Sequence, residues 1–129
     1  IEEPLKKNVG SSGERFTHVS PDGKPSLTTV NIISKYQQAT LVEARPHTGR
    51  THQLRVHLKS VGCPIIGDDK YGQREINSEY QKAGVKRLML HAGQLTVTRP
   101  GSDERMSFSA PYDAPFEKAI GIAGTSAEE

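Results

Sequence analysis

The chain has 129 residues, of which 33% are hydrophobic and 25% are charged, so it can bury one modest core and forms one domain or part of one. Seventeen Lys and Arg against fifteen Asp and Glu give a net charge of +2, so total charge by itself does not indicate a nucleic-acid partner. A single cysteine excludes an intrachain disulfide, and no apolar run has the length of a signal segment or a membrane span, so we expect a cytoplasmic protein.

The first third of the chain carries signals for strands. Residues 1–14 mix Pro, Gly, Ser and charged side chains, a composition typical of a linker, and we interpret them as linker-like. After a Pro-Asp-Gly turn at 21–23, the runs PSLTTVNIISKY and QQATLVEARP are rich in β-branched residues and alternate partly in polarity. These two runs predict strands that pair with each other.

The remaining elements include helices. Leu54, Leu58 and Val61 are spaced i, i+4, i+7, which predicts a short amphipathic helix that ends near Gly62. EINSEYQKAG predicts one or two helical turns, RLMLHAGQLTVT with RMSFSAPY predicts a hairpin, and APFEKAIGIAG predicts a last helix before a frayed tail at 122–129. This order predicts an α+β fold with a mixed, largely antiparallel sheet and a few short helices.

Three histidines in the central motif suggest a metal site, but their spacing argues against one. His47, His52 and His57 recur every five residues. Five residues of an α-helix turn about 500°, so His52 and His57 lie roughly 140° apart and do not chelate one ion from a continuous helix. The zinc-binding helical pattern requires histidines four residues apart. We therefore predict no metal.

A nucleophilic site is also disfavoured. Cys63 lies between Gly62 and Pro64, without a nearby base or a following helix N-terminus to lower its pKa, and we interpret it as a small buried residue. No Gly-x-Ser-x-Gly elbow, Walker loop or Gly-x-Gly-x-x-Gly fingerprint occurs in the sequence. The paired carboxylates of GDDKYG are interpreted as turn residues in preference to magnesium ligands.

Binding of a polyanion fits the central motif HTGRTHQLRVHLKSVG best. Residues 45–59 include four cations and no carboxylate, and Arg50 directly precedes the predicted helix, where N–H groups and the helix dipole favour a phosphate. A charged helix face in water is the alternative. Arg55 argues against that alternative, because it follows Leu54 at the border of the core, where a guanidinium needs a partner. That partner is a distant acid, a ligand or a group missing from the chain.

These residues resemble a known family. ARPHTGRTHQLRVHLKSVGCPIIGDDKYG resembles the third motif of the RluA-type pseudouridine synthases, and KRLMLHAGQLTVTRP, MSFSAPYDAPF and the opening IEEPLKKN are similar to segments of its large-subunit ribosomal RNA members. The resemblance implies isomerisation of uridine to pseudouridine in RNA, without a cofactor, through an essential aspartate and a tyrosine that packs on the target base. It also implies that residues 1–129 are a C-terminal segment of the pseudouridine synthase catalytic fold.

The resemblance assigns roles to individual residues. Arg55 matches the arginine that pairs with the essential aspartate, and Leu54 matches the residue that lines the uracil pocket. We expect four further residues to contact RNA, chiefly its phosphates: Arg50, His52, Lys59 and Lys70. The Arg-Leu-Asp segment that carries the aspartate does not occur in this sequence, and none of the four tyrosines matches the catalytic one. The chain by itself is therefore expected to be inactive, with Arg55 lacking its aspartate.

Alternatives from other classes stay open at this point. The chain is either part of a synthase, a stand-alone RNA-binding module without catalysis, or a scaffold fragment that binds nothing by itself. The first two alternatives imply RNA as the partner, and the family implies 23S ribosomal RNA. If part of a catalytic domain is missing, an unpaired sheet edge is expected to promote self-association. No membrane partner is predicted.

Overall fold

The computed structural model describes residues 1–10, 13–98, 101 and 105–124. Within these residues the chain forms six strands and three helices, which confirms the predicted α+β class. In chain order, the elements are β1 (Leu5–Val9), β2 (Arg15–Val19), β3 (Thr28–Lys35), β4 (Thr40–Pro46), α1 (Gln53–Ser60), α2 (Arg74–Lys82), β5 (Gln94–Thr98), β6 (Arg105–Ser109) and α3 (Ala114–Ala123).

The strands form three separate antiparallel pairs, β1–β2, β3–β4 and β5–β6. The predicted pairing of the two β-branched runs and the predicted later hairpin are both confirmed. In the described part of the chain no ladder joins one pair to another, so the largely antiparallel sheet that was expected is divided into three two-stranded, antiparallel parts. The two strands of each pair follow one another in the chain, and the short connection between them favours a hairpin over wider pairing.

The linker-like interpretation of residues 1–14 is wrong for β1. Leu5–Val9 pairs with Arg15–Val19 across a turn in which Gly10 N donates to Glu14 O at 2.8 Å. Only Leu5 of this strand is buried, and its other four residues are exposed. A strand with so few apolar positions has no alternating pattern by which composition distinguishes it from a linker.

The core consists of two small clusters. The first joins β1, α1 and the segment that follows it through three residues: Leu5, Val56 and Tyr71. The second joins α2 and α3 and is built on Tyr80, Val85 and Ala119, with Ile66, Met89 and Ile122 packed against it. The central motif therefore rests on the first cluster, between the β1–β2 hairpin and the segment that contains GDDKYG.

Helix α1 buries a different face from the one that the apolar spacing predicts. Leu58 is buried as expected, but Leu54 is half-buried and Val61 is 53% exposed. The buried positions of the helix are Gln53, Val56, His57 and Leu58. Because Gln53 and His57 are polar residues that are hydrogen-bonded inside the protein, the apolar periodicity misplaces the face.

Two further outcomes concern the ends of helices. Cys63 is exposed, contrary to the interpretation as a buried residue, because it follows the positive-φ turn at Gly62 that carries the chain away from the end of α1. The predicted last helix is confirmed, and its start is capped by Asp113, which accepts a hydrogen bond from Phe116 N at 3.0 Å. Of the expected frayed tail, residues 122 and 123 belong to this helix and residues 125–129 lie outside the described residues.

In the described part of the chain, no helix is both long enough and apolar enough to cross a membrane.

Candidate active site

Arg55 of α1 forms a two-pronged ion pair with Asp68. Arg55 Nε donates to Asp68 Oδ2 at 2.8 Å, and Arg55 Nη2 donates to Asp68 Oδ1 at 2.7 Å. The Asp68 side chain is 0% exposed and that of Arg55 is 16% exposed. Of the three kinds of partner left open for Arg55, the structure provides a distant acid within the chain. The partner lies 13 residues further on, in the turn that follows the helix and folds back beneath it.

Asp68 also organises its own turn. Its Oδ1 accepts hydrogen bonds from the backbone N–H groups of Lys70 and Tyr71, each at 3.0 Å, and its carbonyl oxygen accepts from Gly72 N at 3.0 Å and Asn77 Nδ2 at 2.9 Å. Burial acts to raise the pKa of the Asp68 carboxyl, but the bonds from Arg55 and the two N–H groups outweigh burial and lower that pKa below its ordinary value. The carboxylate is therefore ionised at neutral pH and fixes the turn to the helix.

Tyr71 joins this turn to the β1–β2 hairpin and to the start of α1. Its hydroxyl oxygen accepts a hydrogen bond from Thr17 N at 2.9 Å and lies 2.8 Å from His52 Nδ1. The Arg55 guanidinium carbon lies 5.2 Å from the centre of the Tyr71 ring, and Lys59 Nζ lies 5.9 Å from it. Tyr71 is thus a buried contact point for a strand, a helix terminus and two cations.

His52 occupies a strained backbone position at the start of α1. Its φ of 53° lies in the left-handed region, and among the described residues it is the one non-glycine with a positive φ. A bulky residue in this region costs of order 1–3 kcal/mol and persists where the surroundings hold it, most often at a functional site. Burial, together with the charges of Arg55 and Lys70, lowers the pKa of the His52 imidazole. The ring is therefore neutral at pH 7.

A groove of about 420 Å³ opens between the start of α1 and residues 88–90. Four of the six predicted site residues line it together: Arg50, His52, Leu54 and Arg55. Leu88 and Leu90 form part of its wall, so the groove has apolar as well as cationic lining. Apolar walls with a few placed polar groups are typical of pockets for small molecules and bases.

The other predicted contacts lie outside the groove. Lys70 Nζ donates to Arg15 O at 3.0 Å and lies 3.3 Å from Glu14 Oε1, so it is turned toward the β1–β2 hairpin. Lys59 is exposed and faces the Tyr71 ring. Arg50, although it lines the groove, is anchored through Nε and Nη2 to the carbonyl oxygen of Pro25 at 3.1 and 2.8 Å. The predicted cations therefore lie on two surfaces. Arg50 and Arg55 line the groove, whereas Lys59 and Lys70 lie toward Tyr71 and the β1–β2 hairpin.

The sequence and the fold are similar to those of known RNA-modifying proteins. The family profile described as RNA pseudouridylate synthase matches residues 1–60. Ribosomal large subunit pseudouridine synthase C of Salmonella typhimurium is 45% identical over 95% of this chain, and that of Yersinia pestis is 49% identical over 88%. The chain therefore matches the RNA pseudouridylate synthase family over residues 1–60, and the two relatives extend the similarity over most of its length. It spans 39% and 35% of the length of these two relatives.

Solved structures agree with this similarity. Human RNA Pseudouridylate Synthase Domain Containing 1 superposes with a TM-score of 0.74 at 27% sequence identity, over 98% of this chain and 52% of the human chain. Human RNA Pseudouridylate Synthase Domain Containing 4 superposes with a TM-score of 0.67 at 24% identity, over 95% of this chain and 55% of that one, and supports the fold alone. This chain therefore has the architecture of about half of each neighbour.

The three histidines of the motif have separate partners in this chain. His47 Nε2 lies 2.7 Å from Thr29 Oγ1, and His52 contacts Tyr71. His57 is fully buried, with Nε2 at 2.8 Å from the carbonyl oxygen of Glu3 and Nδ1 at 2.8 Å from Thr28 Oγ1. Within the described residues no group of three or more His, Cys, Asp or Glu side chains is arranged to hold a metal ion.

A buried chain of hydrogen bonds around His57 was missed by the sequence analysis. Gln53 Nε2 donates to Leu27 O and Thr28 Oγ1, each at 2.9 Å. A carbonyl oxygen accepts only, so His57 Nε2 carries a proton and donates to Glu3, which leaves Nδ1 to accept from the Thr28 hydroxyl. This hydrogen-bond network holds α1 against β3 and the N-terminal segment. No local sequence signal marks the network.

Proposed function

We propose that this chain is part of the catalytic domain of an enzyme that isomerises uridine to pseudouridine in 23S ribosomal RNA. The observation that carries the proposal is the groove, which brings Arg50, His52, Leu54 and Arg55 to one place. The names of the bacterial relatives support a large-subunit ribosomal RNA substrate. We further propose that residues 1–129 are a C-terminal segment of that domain, because the chain spans less than half of each relative.

The reaction determines what the groove must supply. In the isomerisation the N1–C1′ bond of uridine breaks, the base rotates, a C5–C1′ bond forms, C5 loses its proton and N1 gains one. The target base must leave the helical stack, which takes a few kcal/mol and favours loops and mispaired sites. Leu54, with Leu88 and Leu90, offers an apolar surface for the extruded uracil.

Arg55 is proposed to orient the catalytic carboxylate. It lines the groove, and its Nη1 makes no hydrogen bond within the described residues. Asp68 does not serve as that carboxylate, because it is fully buried and its Oδ1 already accepts three hydrogen bonds. Asp69 is 91% exposed, lies 3.6 Å from Arg55 Nη2 and does not line the groove. We therefore assign the nucleophile to an aspartate outside these 129 residues.

RNA phosphates are proposed to bind Arg50, Lys59 and Lys70, with His52 beside them. The guanidinium of Arg50 is fixed in orientation by Pro25, which reduces the entropy lost when it binds a phosphate. His52 contributes as a neutral hydrogen-bonding ring, because its pKa is lowered. Phosphate contacts fix the register of RNA without reading its bases.

The proposed phosphate surface comprises Arg50, Lys59 and Lys70. It is tested by measuring how binding to 23S RNA fragments depends on salt concentration. The double variant Arg50→Ala, Lys59→Ala is expected to bind more weakly and to reduce the slope of log K against log salt by about 2, one for each lost contact. The matched control is Lys35→Ala, Lys82→Ala, which removes the same charge from exposed positions on β3 and α2. Equal slopes for the two double variants would reject the surface.

Catalysis is tested by release of tritium from RNA labelled at C5 of uridine, since C5 loses its hydrogen in the reaction. The 129-residue chain alone is expected to release none, and the Yersinia pestis relative serves as the positive control. Measurable release by the chain alone would contradict the assignment of the nucleophile to another segment.

A stand-alone RNA-binding module is the second candidate. The Arg55–Asp68 pair favours it, because Arg55 has a complete partner inside the chain and does not require an external carboxylate for its charge. The two candidates differ when the chain is mixed with the N-terminal portion of the Yersinia pestis relative. The catalytic proposal expects tritium release from the mixture, and the module expects RNA binding without release.

We propose that the chain self-associates and that its location is cytoplasmic. Ile32 and Ile33 of β3 are 58% and 49% exposed, and this apolar surface supports association with a second copy. The open edge of β2, by contrast, is covered, since Thr17 N bonds to Tyr71 and Arg15 O bonds to Lys70. Light scattering of the wild type against Ile32→Thr is expected to show loss of the larger species. A cytoplasmic location follows from the proposed ribosomal RNA substrate.

A further inference from the structure

The β1–β2 hairpin carries cations without carboxylates in its two strands. The sequences LKKNV and RFTHV contain two lysines, an arginine and a histidine, and neither contains Asp or Glu. The register pairs Lys6 with His18 and Asn8 with Phe16. Because side chains alternate across a strand, these four residues lie on one face, opposite the face that holds buried Leu5 and Thr17.

Phe16 is an aromatic residue on this polar face. It is 39% exposed, and it belongs to neither of the two core clusters. Lys70 Nζ lies 5.0 Å from the centre of its ring and is held there by Arg15 O and Glu14. Beside it, Asn8 Nδ2 lies 3.3 Å from His18 Nδ1. A partly exposed ring among cations and hydrogen-bonding groups is the combination that stacks nucleic-acid bases and holds their phosphates.

The hairpin is connected directly to the groove. The Tyr71 hydroxyl accepts from Thr17 N, next to Phe16 in the chain, and contacts His52, which lines the groove. The cations Lys59 and Lys70 lie on the side of Tyr71 and Phe16 rather than inside the groove. RNA that places one base in the groove would meet these cations along the path to the hairpin.

We propose that Phe16 stacks on an unpaired base of the RNA whose target uridine enters the groove, with Lys6 and Lys70 placed for the adjoining phosphates. The ligand class is single-stranded RNA in a loop next to the target site. The proposal rests on the proposed function and extends its RNA contacts by a second base site on the β1–β2 hairpin. Stacking on an aromatic ring accepts any base, so this site adds affinity and fixes the path of the strand without reading sequence.

A tryptophan probe tests stacking directly, because the chain contains no tryptophan. Phe16→Trp introduces a single indole, and its fluorescence is expected to be quenched as unstructured oligouridylate saturates the chain, with binding followed separately by anisotropy of labelled RNA. Ile76→Trp is the matched control, since Ile76 is 38% exposed on α2, and it is expected to bind RNA without quenching. An abasic oligoribose phosphate of equal length is expected to bind Phe16→Trp without quenching its indole. Quenching absent at saturation with oligouridylate would overturn the proposal.

Affinity provides a second measurement. Phe16→Leu is expected to weaken oligouridylate binding by about tenfold without changing the salt slope, whereas Phe16→Tyr retains the affinity. Unchanged affinity in Phe16→Leu would reject stacking. Quenching of the indole in Phe16→Trp, together with full RNA binding by Arg50→Ala, Lys59→Ala, would retain the base site and reject the phosphate surface. A chain that binds no RNA would reject both.

Discussion

Arg55 and Asp68 join helix α1 to the turn that follows it through two charged hydrogen bonds of 2.8 and 2.7 Å. Breaking a buried pair by removing one partner leaves the other charge without compensation. We expect Asp68→Asn to lower the free energy of unfolding by about 3 kcal/mol, measured by urea denaturation. Asp69→Asn is the control, because Asp69 is 91% exposed, and it should change stability by less than about 0.5 kcal/mol. Similar effects of the two substitutions would contradict the importance of the pair.

Acid should weaken the protein through the same carboxylate. The pKa of Asp68 is lower in the folded protein than its ordinary value of 3.8, so the unfolded chain binds the proton first as pH falls. The stabilisation is complete above pH 3.8 and is lost as pH decreases through the lower folded pKa. Urea denaturation at a series of acidic pH values should show this loss in the wild type. The loss of stability at acidic pH should be smaller in Asp68→Asn. If stability depended on pH equally in the wild type and in Asp68→Asn, a contribution from Asp68 would be excluded.

His52 should add a pH dependence at milder acidity. Its folded pKa lies below 6.5, so between pH 6.5 and that lower value the unfolded chain binds a proton that the folded protein does not. Stability should therefore fall as pH decreases below 6.5 in the wild type. His52→Asn should remove this contribution, and asparagine tolerates the left-handed backbone at this position. His47→Asn, at an exposed histidine, should retain the slope, and a slope that persists in His52→Asn would refute the assignment.

Tyr71→Phe removes the hydroxyl that connects the hairpin to α1. The substitution leaves Thr17 N without its acceptor, and we expect a loss of about 1–3 kcal/mol together with faster amide exchange at Thr17. Hydrogen exchange followed by NMR measures the second effect. Tyr112→Phe removes a hydroxyl from a ring that is 39% exposed and should leave exchange at Thr17 unchanged. Protection retained at Thr17 in Tyr71→Phe would show that the hydrogen bond does not hold the strand.

Gly67→Ala should be severely destabilising. Gly67 has a φ of 84°, and a methyl group there would overlap the carbonyl oxygen of Arg87. Both the left-handed backbone and the backbone contact oppose the substitution, so we expect a loss of about 3 kcal/mol or more in thermal or urea unfolding. Gly121→Ala, inside α3 and without a neighbouring atom within 4 Å, should instead stabilise by about 0.5–1 kcal/mol. A tolerated Gly67→Ala would contradict the packing of this turn.

The sequence predicted those elements that a local residue pattern marks. The β3–β4 pair follows from β-branched runs, and α1 follows from the spacing of apolar residues, although that spacing misplaced its buried face. Helices α2 and α3 lie where the sequence predicted helical turns. Strand β1 escaped prediction because only Leu5 of its five residues is buried. The buried face of α1 escaped it because Gln53 and His57 occupy core positions as hydrogen-bonded polar residues. The pattern of apolar residues along the sequence does not show which polar residues are buried in hydrogen-bonded networks.

The sequence predicted which residues belong to the candidate site, but it did not predict which other residues they contact. The family resemblance named Arg50, His52, Leu54 and Arg55 as site residues, and all four line one groove. The Arg55–Asp68 pair was not predictable, since a helix and a turn that are 13 residues apart meet only through tertiary folding. The dispersal of Lys59 and Lys70 toward Tyr71 and the hairpin depends on the same tertiary contact.

The turn at Asp68 has a consequence for assembly with any other part of a catalytic domain. Its carboxylate, its carbonyl oxygen and the adjacent Tyr71 hydroxyl are all bonded within this chain. Arg55 and His52, which line the groove, are therefore held in place before a further segment or an RNA strand arrives. Because this side of the groove is already ordered, it loses little conformational entropy when another segment of a catalytic domain docks on it. More of the contact energy between that segment and this chain therefore remains available for binding.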